Sequence, residues 1–309
     1  MIITVTLNPA IDKTVEIDTL LPGGLNRIKK VEYDAGGKGI NVSKTIRELG
    51  GESIATGFLG GNGGKTIENV LNAARIGHDF VWVDGETRTN TKVFEKSGAV
   101  TELNEPGPEI SEMQLEALLK KLENYADHRA LFILAGSVPA GVDPHIYERI
   151  IHLVQEKGSR VLLDADGELF RNGLKAGPDF IKPNRSELEA YAGMDTPASE
   201  GELRKLAEEL LEKGIRTVAV SMGKDGAMFV CPGRAVKCPA LPVRAHSTVG
   251  AGDAMVAALA YAWEQDMDEK ETIRLCMAAS AGAVTTVGTK PPARALVDQL
   301  KEQVRMEKI

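Results

Sequence analysis

Apolar positions along the chain follow two alternating rhythms. Short β-branched and aliphatic runs at residues 2–7, 53–59, 79–83, 130–134, 160–163, 179–181 and 216–220 read as strands. Between and after them lie helix-length stretches at about 38–49, 111–125, 144–157, 185–192, 200–213, 254–261, 268–286 and 293–307. Gly50-Gly51 and Gly158 supply stops, and Ser111 with Gln114 has the spacing of a capping box. Strands alternating with helices predict an α/β fold, a parallel sheet covered on both faces. Ligands then collect at the carboxyl ends of the strands. No repeat, low-complexity tract or linker interrupts the pattern, so residues 1–309 read as one domain.

Two regions break the rhythm. Residues 12–17 alternate polar and apolar, as do 28–33, and 88–95 with 100–103 form a polar hairpin around Ser97-Gly98. Half-exposed strands do not belong in a buried parallel sheet. They predict a small β lid built from separate insertions at about 10–35 and 87–104. Residues 226–230 and 235–238 read as a further hairpin around Pro232-Gly233.

Composition narrows the partners. The net charge is −7 with no basic run, which argues against nucleic acid. No apolar run approaches the ~20 residues of a membrane span. The first residues, Met1 to Leu7, read as a strand rather than a signal peptide. Three cysteines without a CxxC read as reduced thiols. These features together predict a cytoplasmic protein.

The stretch Ser247-Thr-Val-Gly-Ala-Gly-Asp253 runs into an apolar, alanine-rich helix. A glycine turn opening a helix aims N–H groups at one spot, where the dipole favours an anion. Asp253 in that first turn is placed to accept a proton, a layout suited to phosphoryl transfer. The same residues also suit a plain helix start with an acid complementing the dipole. Gly60-Gly-Asn-Gly-Gly-Lys-Thr66 approaches a P-loop but carries Leu59 where the first glycine belongs. The five histidines show no metal spacing, and Ser137 lacks a nucleophile elbow. Asp164-Ala165-Asp166 reads as a turn and helix cap rather than a metal site.

Gly36-Gly37-Lys38-Gly39-Ile40-Asn41 and Thr248-Val249-Gly250-Ala251-Gly252-Asp253 resemble the two signatures of the PfkB (ribokinase-like) sugar kinases. Thr6-Leu-Asn-Pro-Ala-Ile-Asp12 is similar to the branch holding 1-phosphofructokinase and tagatose-6-phosphate kinase. The resemblance implies a three-layer α/β/α sandwich, ATP and Mg²⁺, and a homodimer whose two lids cover each other's edges. It implies Asp253 as general base and the Gly250, Ala251 and Gly252 N–H groups as the anion hole. Asp12, Gly36, Gly37 and Asn41 would meet the sugar. Lys38 and Arg88, with Asn90 and Ser137, would hold its phosphate. Lys182 and the segment Ser221, Met222, Gly223, Lys224, Asp225 and Gly226 would meet the nucleotide. Its base would lie near Gly282, where Ala281-Gly282-Ala283 departs from the Asn or Ser of relatives. Asn184 and Glu187 would organise the metal. The implied reaction converts D-fructose 1-phosphate to fructose 1,6-bisphosphate, with tagatose 6-phosphate as the second reading and a silent sugar-phosphate sensor as the third.

Overall fold

A computed structural model describes all residues from Met1 to Ile309. The chain enters the body as β1 (Ile2–Thr6), then leaves it for β2 (Ala10–Ile17) and β3 (Lys30–Gly36). It returns through α1 (Lys38–Glu48), β4 (Ile54–Gly60), α2 (Gly61–Ala73), β5 (Gly77–His78) and β6 (Val81–Val83). It leaves again for β7 (Arg88–Glu95) and β8 (Val100–Asn104). The second half alternates α3 (Glu112–Tyr125), β9 (Leu131–Ala135), α4 (Ile146–Gln155), β10 (Arg160–Asp164), α5 (Gly167–Lys175) and β11 (Phe180–Ile181). There follow α6 (Arg185–Ala192), α7 (Glu200–Glu212), β12 (Thr217–Ser221), β13 (Ala227–Cys231) and β14 (Arg234–Cys238). The chain closes with α8 (Ala251–Glu264), α9 (Glu269–Ala283), α10 (Arg294–Lys301) and β15 (Glu307–Lys308).

The larger sheet has eleven strands in the order β15-β14-β13-β12-β11-β10-β9-β1-β4-β5, with β6 also paired to β4. Neighbours from β12 to β5 run parallel, and β12 through β15 pair antiparallel. Period-two alternation divides the buried residues between two faces. Phe132 and Leu134 of β9 pack with Leu118 and Leu122 of α3 and Ile150 and Val154 of α4. Leu131, Ile133 and Ala135 of the same strand pack with Val42 and Ile46 of α1 and the small residues of α8 and α9. Both faces are apolar because both are covered, which gives three layers.

The smaller sheet has the order β3-β2-β7-β8. β2 and β7 run parallel, and the outer strands pair antiparallel to them. One face carries a cluster of only three buried residues, Val15, Ile17 and Val93. On the same face but nearer the body, Ile11 and Ala35 join Ile40 of α1 and Leu59 of β4.

Ser111 and Gln114 form both bonds of the expected capping box at α3. Two elements differ from expectation. α5 is only nine residues long and carries Gly167 and Gly173, so its own pattern is weak. It is held by buried Phe170 and Leu174. The final helix stops at Lys301 instead of about 307, and Glu307–Lys308 pair with β14 at the sheet edge. Cys231 and Cys238 are not cross-strand partners in their hairpin, and all three thiols are free. No helix is long and apolar enough to cross a membrane.

Candidate active site

The site gathers at the carboxyl ends of the parallel strands, around the start of α8. Gly250 occupies the N-cap with φ 82, a left-handed conformation that costs a residue with a Cβ about 1 kcal/mol or more. The N–H groups of Ala251 and Gly252 meet no protein acceptor. A Cβ on Gly252 would stand 3.3 Å from the Lys182 ammonium, so the bare backbone lets cation and turn share one space.

Asp253 follows in the first turn and is 8% exposed. Asn41 of α1, itself buried, donates from Nδ2 to Asp253 Oδ2 at 2.9 Å. Burial and the nearby Asp164 push the Asp253 carboxyl up to about 6, against the opposing pull of Asn41, Lys38 and Lys182. A carboxylate with its pKa close to neutrality is an effective proton acceptor. Asn41 thus holds the base through Nδ2, while its Oδ1 has no partner in the protein.

Asp164 at the end of β10 is 1% exposed. Its Oδ1 lies 3.4 Å from Lys38 Nζ and 3.3 Å from Lys182 Nζ. Burial disfavours its charge, yet Lys182 and Lys38 hold its carboxyl below the ordinary range. Burial also disfavours the Lys38 ammonium, but Asp164 and Asp253 keep its pKa above the usual lysine value. This corrects the turn-and-cap reading of Asp164-Ala165-Asp166. Asp166 takes the N-cap of α5 without a side-chain bond, while Asp164 turns into the site. Its partners lie 126 and 18 residues away, and no local spacing reveals them.

A cavity of about 900 Å³ opens beside this cluster. Its polar end is lined by Lys38, Asp164, Lys182, Asn184, Glu187 and the Gly250–Asp253 turn, with Ser221, Gly223, Lys224 and Gly226 along one side. Its far end is apolar. Met222 and Asp225 do not line it: Met222 is buried in the core, and Asp225 pairs with Arg185 at 3.1 Å. Gly282 is also absent from the wall, which Ser280, Ala281 and Val284 provide. A Cβ on Gly282 would meet Pro292 at 2.8 Å, so this glycine serves helix packing. Asn184 and Glu187 exchange capping-box bonds at the start of α6, Asn184 Oδ1 accepting from Glu187 N and Glu187 Oε2 accepting from Asn184 N, each at 2.8 Å. No group of three or more His, Cys, Asp or Glu residues forms a ready metal cage.

A second set of polar groups lies where the smaller sheet meets the body. Asp12 stands opposite Asn90 on β7 and Asp34 on β3. A Cβ on Gly36 would overlap Asp12 Oδ2 at 2.4 Å, so the carboxylate rests on bare glycine. Burial raises the Asp12 pKa, opposed by Lys92 and Lys44. Gly37 has φ 113, and a Cβ there would strike Thr6 and Pro9. Arg88 donates to the Asn8 carbonyl at 3.1 and 3.3 Å, the Glu105 carbonyl at 3.0 Å and Ser137 Oγ at 3.4 Å. All these acceptors are neutral. The structure therefore brings Arg88, Ser137, Asn90 and Asp12 together, while the Lys38 ammonium pairs with Asp164. Lys44 and Lys92 join this cluster without any motif marking them in the sequence, and Asn8 joins it from the Thr6–Asp12 stretch, where it had no assigned role.

Open N–H groups, a buried proton acceptor and two paired lysines on a three-layer α/β/α body define a phosphotransferase site. The pfkB family carbohydrate kinase model matches residues 3–296, and the chain belongs to that family. It is a sugar kinase with the ribokinase-like fold. The chain is 38% identical to the 1-phosphofructokinase of Rhodobacter capsulatus, over 94% of this chain and 92% of the relative. It is 35% identical to the D-tagatose-1-phosphate kinase of Bacillus licheniformis, over 99% of each. Phosphofructokinase-2 of Escherichia coli, solved in complex with substrates and products, superposes with a TM-score of 0.93 at 28% identity over 98% of both chains.

Proposed function

We propose that the chain transfers the γ-phosphoryl group of ATP to D-fructose 1-phosphate, giving fructose 1,6-bisphosphate and ADP. Asp253 takes the proton of the C6 hydroxyl as that oxygen attacks the γ-phosphorus and the bond to the ADP oxygen breaks. Asn41 holds the carboxylate in line. The N–H groups of Ala251 and Gly252, with Lys38 and Lys182, meet the charge developing on the transferred group. The observation that carries the kinase reading is this buried carboxylate, with its pKa near 6, inside the first turn of a helix whose N–H groups are open.

Arg88 supports a phosphorylated sugar. A half-buried guanidinium with only neutral acceptors retains its charge for an anion, and its fork suits two phosphate oxygens. Asp12 and Asn90 would accept and donate bonds to the sugar hydroxyls between the two ends. Mg²⁺, when bound, neutralises phosphate charge in such reactions. The donor set fits a cation that keeps most of its water. Glu187 lines the cavity with Oε1 uncommitted, whereas the Asn184 oxygen is spent on its cap. The smaller sheet would act as a lid over the sugar, excluding water as a competing acceptor. Its exposed Leu21, Leu25, Ile28, Tyr33 and Leu103 support a homodimer through that sheet. Light scattering would read the mass, and a monomer would refute this pairing.

The alternative substrate closest to the relatives' names is D-tagatose 1-phosphate, which differs from fructose 1-phosphate at C4 but keeps phosphate on C1. This favours C1 phosphates over the tagatose 6-phosphate suggested by resemblance. ADP release with both 1-phosphates, tagatose 6-phosphate and fructose 6-phosphate tests the assignment. Fructose 1-phosphate should give the highest kcat/KM, by about tenfold or more over either 6-phosphate. Absence of turnover with all four would refute the kinase assignment as stated.

A further inference from the structure

Two lysines flank Asp12, and their ammonium groups are held differently. Lys44, on α1, donates to the Ala35 carbonyl at 3.0 Å. Lys92, on β7, has a side chain only 9% exposed. Its one acidic neighbour is Asp12, whose Oδ2 lies 3.9 Å from Nζ. That separation pairs the charges but is too long for a hydrogen bond. Glu102 on β8 stands directly opposite Lys92 and is exposed. Opposite charges at facing positions pair readily across strands. Lys92 instead turns its ammonium to Asp12.

Asn90 and Lys92 are alternate residues of β7, and Asp12 is the register partner of Asn90. All three therefore share one face of the smaller sheet. Asn90 Oδ1 is buried without a partner. This face thus presents a carboxylate, an amide oxygen and an ammonium with bonding capacity left over. A buried charge short of hydrogen bonds is costly, and a ligand that brings hydroxyls to this face relieves the cost. A hydroxyl both donates and accepts. Two neighbouring ring hydroxyls suit such a pair, one donating to the carboxylate and the next accepting from the ammonium. Inverting either ring carbon turns one hydroxyl away and leaves a buried charge unpaired. Sites of that kind discriminate strongly between analogues.

We propose that Lys92 reads the sugar: its ammonium donates to a ring hydroxyl of the ketohexose 1-phosphate, beside the hydroxyl that donates to Asp12, and this pair sets the preference between C3 and C4 epimers. The inference rests on the kinase reading above, and sugar binding tests it apart from turnover.

The test is calorimetric titration of the full-length chain with the 1-phosphates of D-fructose, D-tagatose (its C4 epimer) and D-psicose (its C3 epimer). The native protein should bind its preferred sugar about tenfold or more tightly than at least one of the others. Lys92→Met should weaken the preferred sugar by about 10- to 100-fold and bring that ratio within about threefold. Lys44→Met also removes a charge beside Asp12, and it should weaken all three sugars alike, with the ratio kept. Equal binding of the three by the native protein overturns the inference. So does a ratio that survives Lys92→Met, or one that collapses equally in Lys44→Met. A preference that depends on Lys92, without turnover, keeps the inference and refutes the assigned reaction. Reductive methylation of the unaltered protein, read by peptide mass, needs no variant. Fructose 1-phosphate should slow modification of Lys92 by about tenfold, as expected for a charge-assisted bond, and inorganic phosphate should not. Lys92 reacting equally with and without the sugar, or unreacted in both, overturns the contact.

Discussion

Two helices of this protein begin on glycine-rich turns, and their fates differ. At α2, Glu86 accepts the N–H groups of Asn62 and Gly63, and a Cβ on Gly61 would overlap its carboxylate at 2.1 Å. Lys65 lies over the Trp82 ring instead of facing the turn. An anion from the chain itself thus fills this helix N-terminus. At α8 no side chain caps the turn, Lys182 sits beside it, and the acid of the first turn is inside the helix instead of across from it. Glycines and a helix dipole make both turns attractive to anions. A residue distant in sequence decides which one remains open to a ligand.

The largest test of this contrast is Asp253→Asn. Turnover should fall by about 10²-fold or more while sugar binding persists. Near-normal turnover would remove the distinction between the two turns. The same substitution should strengthen the fold. The native value near 6 lies above the ~3.9 of an unfolded aspartate, so the folded state holds the proton more readily. Charging Asp253 therefore lowers stability as pH rises from about 4 to about 6, by up to about 3 kcal/mol. Urea unfolding should show the asparagine variant more stable at pH 7, with the gain gone near pH 4. A variant less stable at pH 7 would contradict the burial argument.

Next in size is the pH profile of the unaltered protein. Because Asp253 must be ionised to act, kcat/KM should fall about tenfold per unit below an apparent pKa of about 6. An inflection near 4 would assign the proton to a solvated acid. The smallest expected effect is at the other turn. Glu86→Gln should cost about 0.5–1 kcal/mol of stability, by weakening the anion at the α2 terminus, with kcat/KM unchanged within about twofold. A tenfold loss of turnover would make the α2 turn part of the site and dissolve the comparison.

What the sequence carried, and what it did not, follows from the range of the forces involved. Gly250, Asp253 and Gly37 announce themselves because backbone conformation and helix starts are local. Ser111 and Gln114 do so for the same reason. Asp164 was read as a turn because its two lysines arrive through tertiary packing. Lys38 is grouped with Arg88 by the resemblance, and its pairing with Asp164 comes only through tertiary packing. The bond of Asn41 to Asp253 spans 212 residues, so no local spacing reveals it. Gly282 illustrates the converse: a glycine near the nucleotide that answers to Pro292. The end of α10 was misread because the pairing of Glu307–Lys308 depends on an edge 70 residues earlier, at β14.

The attachment of the smaller sheet has a mechanical consequence. Its four covalent links to the body enter at Ala10 and Arg88 and leave at Gly36 and Asn104. Ala10 pairs with both Gly36 and Arg88, and Asn90, two residues on, pairs with Asn104. The links therefore lie nearly in one row, and the sheet is a plate clamped along one side. The far tips, near Ile17 and Glu95, stand about 23 Å from that row at ~3.3 Å per residue. A rotation of about 10° would carry the tips roughly 4 Å but move Asp12, two residues from the axis, by only about 1 Å. The groups proposed to hold the sugar lie close to that row, so a swing of the plate would barely shift its grip on the substrate.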